Sequence, residues 1–125
     1  MESARRKLPQ IDSRNRTGPD QWGYALSVSP ELSWFAGHFP GQPVLPGVAQ
    51  IGWAILFARQ AFGLDADPSH IERVKFQQPI RPGDRVQLDL VQHDDEGRSR
   101  IDWCFRGPDR VFSRGRFEFF LEKPE

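Results

Sequence analysis

Apolar and polar residues change period twice along this chain. Over 22–28, Trp22, Tyr24, Leu26 and Val28 alternate with Gly23, Ala25 and Ser27 until Ser29-Pro30, the period of two that gives a strand one apolar face. Over 46–62 the alternation disappears. Val48, Ile51, Ile55, Ala58 and Phe62 form a helical stripe, and Ala49, Trp53, Leu56 and Phe57 leave hardly any wet face before Arg59 and Gln60. A helix apolar nearly all round is buried, so the pattern predicts a sheet curling around it. Gly63 is placed to cap its C-terminus. Gly52 is out of character, since an interior glycine costs a helix roughly 1 kcal/mol relative to alanine.

After the linker 64–69 the period of two returns, through 71–77, 85–92, 99–106 and 111–121. Val86, Leu88 and Leu90 share a face, as do Ile101, Trp103 and Phe105, and Phe117, Phe119 and Leu121. Arg81-Pro82-Gly83-Asp84, Asp94-Asp95-Glu96-Gly97 and Gly107-Pro108-Asp109 supply the turns, and such short connections imply antiparallel neighbours. The class expected is α+β: a strand, a loop, one long buried helix, then four strands in meander with the helix on the inner face. Residues 1–21 are polar, rich in arginine and without period, and are expected to form a loosely attached arm. Residues 22–125 are expected to form a single domain.

Composition narrows the functional classes. Lys and Arg number 17 against 17 Asp and Glu, which gives no overall electrostatic reason to expect nucleic acid or an anionic membrane. Arginine heavily outnumbers lysine and recurs on the late strands; a solvated face is the ordinary reading, and a docking surface for an acidic carrier the other. Cys104 is alone, so no intrachain disulfide forms. No apolar run reaches the roughly 18 to 20 residues of a membrane span and no signal peptide opens the chain, so a cytoplasmic protein is expected.

The chemistry concentrates between Phe35 and Trp53. Pro40, Pro43 and Pro46 hold the loop after His38 out of helical conformation, and the helix is expected to begin at Pro46, where a missing N–H costs nothing. Gly47 then lets a partner approach the free N–H groups of the first turn, which suit a carbonyl oxygen becoming negative. An isolated histidine more often packs or sits on a surface; in this loop the prolines and glycines point His38 toward the helix start. His70 and His93, near strand edges, keep the ordinary reading. His38 has no Cys, Asp, Glu or second His at ligand spacing, so no metal is expected.

The order of elements, with His38-Phe39-Pro40-Gly41-Gln42-Pro43-Val44-Leu45-Pro46-Gly47-Val48 and then Val74-Lys75-Phe76-Gln77-Gln78-Pro79-Ile80-Arg81-Pro82-Gly83-Asp84, resembles the hotdog-fold 3-hydroxyacyl-[acyl-carrier-protein] dehydratases. Gly47-Val48-Ala49-Gln50-Ile51-Gly52-Trp53 is similar to a branch of small dehydratase-like proteins of aryl polyene and related lipid pathways. The resemblance implies a hotdog domain that pairs into a homodimer with its sites at the interface. It also implies an acyl thioester substrate on the phosphopantetheine of acyl-carrier protein or CoA, with no cofactor of the protein's own. His38 matches the base that removes the proton beside the thioester carbonyl, and the Gly47 N–H matches the donor to the thioester oxygen.

The family's other catalytic group, a carboxylic acid on the helix, falls at Gly52, and its supporting glutamine at Leu56. No Asp or Glu lies between Pro40 and Leu64, and acid assistance is typically worth 10²–10⁴-fold. Three expectations follow: a water beside Gly52, held by Gln50, relays the proton; another chain, a second copy or a sister subunit, supplies the carboxylate; or the protein is a thioesterase or a non-catalytic carrier-binding subunit. Gln50 has an equal structural reading, as a side chain hydrogen-bonded near the helix start. Trp34, Phe35, Phe39, Trp53, Phe57 and Phe76 are candidates to line an acyl slot, though aromatics at such positions are more often core. Gly52 would widen that slot, with Leu56 beside it.

Overall fold

The period-two segments find their partners in one antiparallel sheet. The computed structural model describes residues 6–36 and 41–121. In chain order its elements are β1 (Gln10–Gly18), β2 (Gln21–Ser27), a 3₁₀ turn (Ser33–Phe35), α1 (Gly47–Phe62), β3 (His70–Phe76), β4 (Arg85–Asp95), β5 (Arg98–Arg106) and β6 (Val111–Phe120). The strands lie in the order β1-β2-β4-β5-β6-β3, and every pairing is antiparallel. This is the hotdog arrangement, one long helix held by a single curled sheet.

Two expectations about the sheet are corrected. The arm expected over 1–21 contains a strand, because Gln10–Gly18 pairs with β2 along its length. Nearly all its side chains are exposed, so it carries no apolar alternation; backbone pairing to β2 makes it a strand. The meander is confined to β4, β5 and β6. β3 lies beyond β6, and β2 flanks β4. The link 77–84 makes that crossing rather than a hairpin: Gln77 N–H bonds the Phe112 carbonyl at 2.8 Å, and Ile80 is wholly buried.

The inner face carries Tyr24, Leu26, Leu88, Leu90, Ile101, Trp103, Phe105, Phe117 and Phe119, all buried. Tyr24 meets Phe57 of the helix at 4.8 Å between ring centroids. Trp103 stacks on Phe117 at 5.5 Å, and Gly115 makes room for it: a Cβ there would stand 2.6 Å from Trp103 Cζ2.

The helix is turned relative to the expected stripe. Its buried row is Ala49, Gln50, Trp53, Ala54, Phe57 and Ala58, whereas Val48 is 69% exposed, Gly52 is exposed, and Ile51, Ile55 and Leu56 are half-buried. Two apolar faces competed for the sheet, and the one with the large aromatics and the small alanines won. Pro46 is the N-cap, in extended conformation, so the first helical residue is Gly47, one place later than expected. Gly63 closes the helix at φ 65°, as its position predicted. Among the described residues no helix is long and apolar enough to cross a membrane.

Candidate active site

The start of α1 is fixed from three sides. Leu45, buried, donates its N–H to the Ile80 carbonyl at 2.7 Å, which ties the incoming loop to the link before β4. The Pro46 carbonyl accepts from Ala49 and Gln50 at 3.1 and 3.2 Å and so closes the first turn. No side chain caps it, and the Gly47 and Val48 N–H groups have no partner among the described residues. Those donors, with the positive end of the helix dipole behind them, suit a ligand oxygen.

Phe76, at the end of β3, covers this turn. A Cβ on Gly47 would stand 2.6 Å from Phe76 Cζ, so glycine is what admits the ring against the helix start. The ring is 52% exposed even so. Two residues named from sequence, Gly47 and Phe76, are thus brought together. Gln50 lies beneath them, buried, its Nε2 donating to the Leu45 carbonyl at 3.1 Å while Oε1 has no partner among the described residues. The structural reading of Gln50 holds, and half of its amide remains unspent. An acceptor left bare in a buried place is costly unless water or a ligand fills it.

The other named residues separate. Gly52 and Leu56 lie on the under-covered face, and nothing stands within 4 Å of a Cβ built at Gly52. Trp53 belongs to the core, 2% exposed. Its indole N–H donates at 2.8 Å to the Lys7 carbonyl, which also accepts from Trp34 Nε1 at 2.8 Å. Trp53 is therefore held by the segment that precedes β1. Residues 6–9 form a strap there, with Ser33 N–H on the Arg6 carbonyl at 2.8 Å and Lys7 Nζ 4.5 Å from the Trp34 ring centre. Sequence reasoning missed this strap, and the only signal was a pair of tryptophans whose N–H groups needed acceptors. His38 and Phe39 lie outside the described residues.

No acidic side chain occupies the first turn of α1, and no metal-binding group of three His, Cys, Asp or Glu occurs among the described residues. The perturbed groups lie on the outer face of the sheet. Burial would raise the Asp102 carboxyl, but hydrogen bonds and charge from Arg116, with His93 adding to them, hold it below its usual range. Burial first, and Asp89 second, push the Cys104 thiol up. Two concavities lie elsewhere, one of about 660 Å³ on the outer face over β3 to β6 and one of about 380 Å³ beside Asp12, Arg85 and Arg106. Among the described residues, Gly47 lines neither of them.

Residues 14–116 match the family described as ApeI-like, the ApeI dehydratases. The chain belongs to the ApeI-like dehydratase family. It also aligns with 3-hydroxyacyl-[acyl-carrier-protein] dehydratases named FabZ. The protein of Granulibacter bethesdensis is 38% identical over 96 residues, covering 68% of this chain and 54% of its own length. That of Campylobacter hominis is 40% identical over 88 residues, covering 58% and 55%. The chain thus spans about half the length of these curated relatives.

Among solved structures, the dehydratase heterocomplex ApeI:P of Xenorhabdus doucetiae superposes with a TM-score of 0.76 at 32% identity, covering 89% of this chain and 96% of that one. An uncharacterised protein of Erwinia carotovora subsp. atroseptica gives 0.74 at 36%, covering 88% and 94%. The PaaI protein of Escherichia coli, at 17% identity and a TM-score of 0.64 over 88% and 80%, shares the fold alone.

Proposed function

We propose that this ApeI-like chain dehydrates 3-hydroxyacyl thioesters, carried on acyl-carrier protein or CoA, to trans-2-enoyl thioesters, in a site completed by a second subunit. The observation that carries the reading is the bare first turn of α1. Its Gly47 and Val48 N–H groups are unpartnered among the described residues, Phe76 covers it, and the unspent Gln50 Oε1 lies beside it.

A proton on carbon beside a thioester is only weakly acidic, so removing it needs a base of near-neutral pKa and a donor to the oxygen that gains charge. In this reading His38 takes the proton from C2, and the Gly47 N–H holds the thioester oxygen as it becomes an enolate. When the enolate collapses, the C2–C3 double bond forms, the C3–O bond breaks, and the departing hydroxyl takes a proton and leaves as water. Phe76 packs along the carried chain. The proton for the leaving group has no donor on α1, because Gly52 stands where the family carries a carboxylate. The space beside Gly52 is open, and the helix face around it, Val48, Ile51, Ile55 and Leu56, is apolar and incompletely covered.

These features favour a neighbouring chain seated on that face and supplying the acid. The FabZ relatives are named for the reaction, and the similar Xenorhabdus doucetiae assembly is named a dehydratase heterocomplex, which favours a sister subunit over a second copy.

The test is enoyl formation from a 3-hydroxyacyl thioester by the purified chain, alone and mixed with a sister dehydratase subunit. Enoyl product that rises at least 10²-fold on mixing, and is lost with His38→Ala, is expected. Equal turnover by His38→Ala overturns the base assignment. Free thiol in place of enoyl product would make the chain a thioesterase, and no turnover in either state would make it a carrier-binding subunit.

A further inference from the structure

The outer face of the sheet, opposite the helix, holds a second concavity that the dehydration reading does not use. Its volume of about 660 Å³ falls in the range of small-molecule sites. Val91, Cys104 and Val111 contribute its apolar lining, and four cations, Arg73, Lys75, Arg114 and Arg116, line it against two carboxylates, Asp89 and Asp102. Both carboxylates are already engaged. Asp102 takes a two-pronged bond from Arg116, at 2.6 and 3.2 Å, and Asp89 is bonded by Arg106 at the rim. Arg73, Lys75 and Arg114 are left without an ion pair among the described residues.

The placement of those three is unfavourable without a ligand. Lys75 and Arg114 are direct cross-strand partners, and like charges in that position repel. Arg73 lies in the bulge between Glu72 and Lys75 with φ 59°, a left-handed conformation that a non-glycine residue adopts at a cost. A strained backbone and a like-charge pair meeting at one cavity point to a bound anion that offsets both.

We infer that this outer-face cavity binds a phosphate monoester with an apolar body, the phosphate between Arg73, Lys75 and Arg114 and the body on Val91, Cys104 and Val111. Three uncompensated cations suit a dianion better than a single carboxylate, and guanidinium groups match phosphate oxygens two at a time. The apolar floor distinguishes the ligand from free phosphate. No residue of the helix start lines the cavity, and phenyl phosphate carries no thioester, so its binding is read separately from dehydration.

The test is calorimetric titration of the whole chain with phenyl phosphate, with inorganic phosphate and benzoate as comparisons, and with amide shifts in NMR spectra to locate binding. Saturable binding of phenyl phosphate, at least tenfold tighter than either comparison and moving the amides of Lys75, Cys104 and Arg114, is expected. It should weaken as salt rises and as pH falls below about 6, where the phosphate loses its second charge. Lys75→Gln combined with Arg114→Gln should weaken it at least tenfold while leaving the melting temperature unchanged or higher, since a repulsion is removed. Arg73→Gly should do the same by relieving the backbone. Absence of saturable binding, binding undiminished in both variants, or shifts confined to the start of α1 would overturn the site. Benzoate or inorganic phosphate binding as tightly as phenyl phosphate would overturn the ligand class.

Discussion

Gly47 and Gly52 stand on the same helix for opposite reasons. Gly47 is a matter of contact, since a methyl group there meets the Phe76 ring. That ring is half-exposed and free to swing outward, so Gly47→Ala is expected to change stability by less than about 1 kcal/mol while displacing Phe76 from the helix start. Thermal unfolding should therefore stay near the parent's while turnover falls at least tenfold; a large stability loss with intact specific activity would count against Phe76 as part of the site.

Gly52 meets nothing. Gly52→Ala should stabilise the isolated chain by up to about 1 kcal/mol through helix propensity alone, measured by denaturant unfolding, and loss of stability would mean the space beside it is not open. A glycine that costs the folded chain something and fills no tight contact of its own leaves room for a neighbour. Its oddness was legible in the sequence, because an interior glycine in an apolar helix stands out. The role expected of Gly47 rests on its neighbours in the loop, and its contact with Phe76 was not legible, because it joins residues far apart in the chain.

Among the elements, α1 and β4 to β6 were readable because their apolar residues keep one period over whole elements. β1 was not. Ile11 is its one large apolar side chain, and it is a strand because β2 offers backbone partners, which leave no trace in side-chain pattern. Which face of α1 is buried was also hidden, since apolar residues surround it and only the fit of Trp53, Phe57 and the alanines against the sheet decides. The placement of β3 beyond β6 depends on a link whose anchor, Ile80, looks like any loop isoleucine.

The outer face follows a simpler electrostatic rule, and there the arginines noted in the sequence are mostly paired across strands. Asp102, bonded to Arg116 and 3.3 Å from His93, has a lowered carboxyl pKa. A group whose folded pKa lies below its unfolded value stabilises above the unfolded value, near pH 4, and ceases to as pH falls through the folded one. Asp102→Asn should therefore cost under about 1 kcal/mol at pH 7, discounted because the carboxyl is partly exposed, and the difference should vanish toward pH 2. A gap between parent and variant that persists unchanged in acid would show that packing, not charge, makes the contribution.

For the whole molecule the question is which surfaces remain unfinished. The sheet has two edges, β1 and β3, and they differ. β1 presents Gln10, Asp12, Arg14 and Arg16, a charged and polar edge of the kind that discourages pairing. β3 carries exposed Ile71 and Phe76, and the apolar row of Val48, Ile51, Ile55 and Leu56 on α1 is incompletely covered. Phe76 against Gly47 joins the β3 edge to the helix start, so one approaching chain would meet both and reach the space beside Gly52.

A stable partner on this side has a concrete consequence. Ile55→Asp together with Ile71→Asp, both at positions not fully buried in the single chain, should leave its far-ultraviolet circular dichroism unchanged while abolishing association in sedimentation velocity. Enoyl formation should fall with the associated species, because an enolate formed at the helix start would have no acid to protonate its leaving hydroxyl. Full turnover by a chain that sediments as a monomer would place the proton source within the chain, and the water held by Gln50 would then have to be that source.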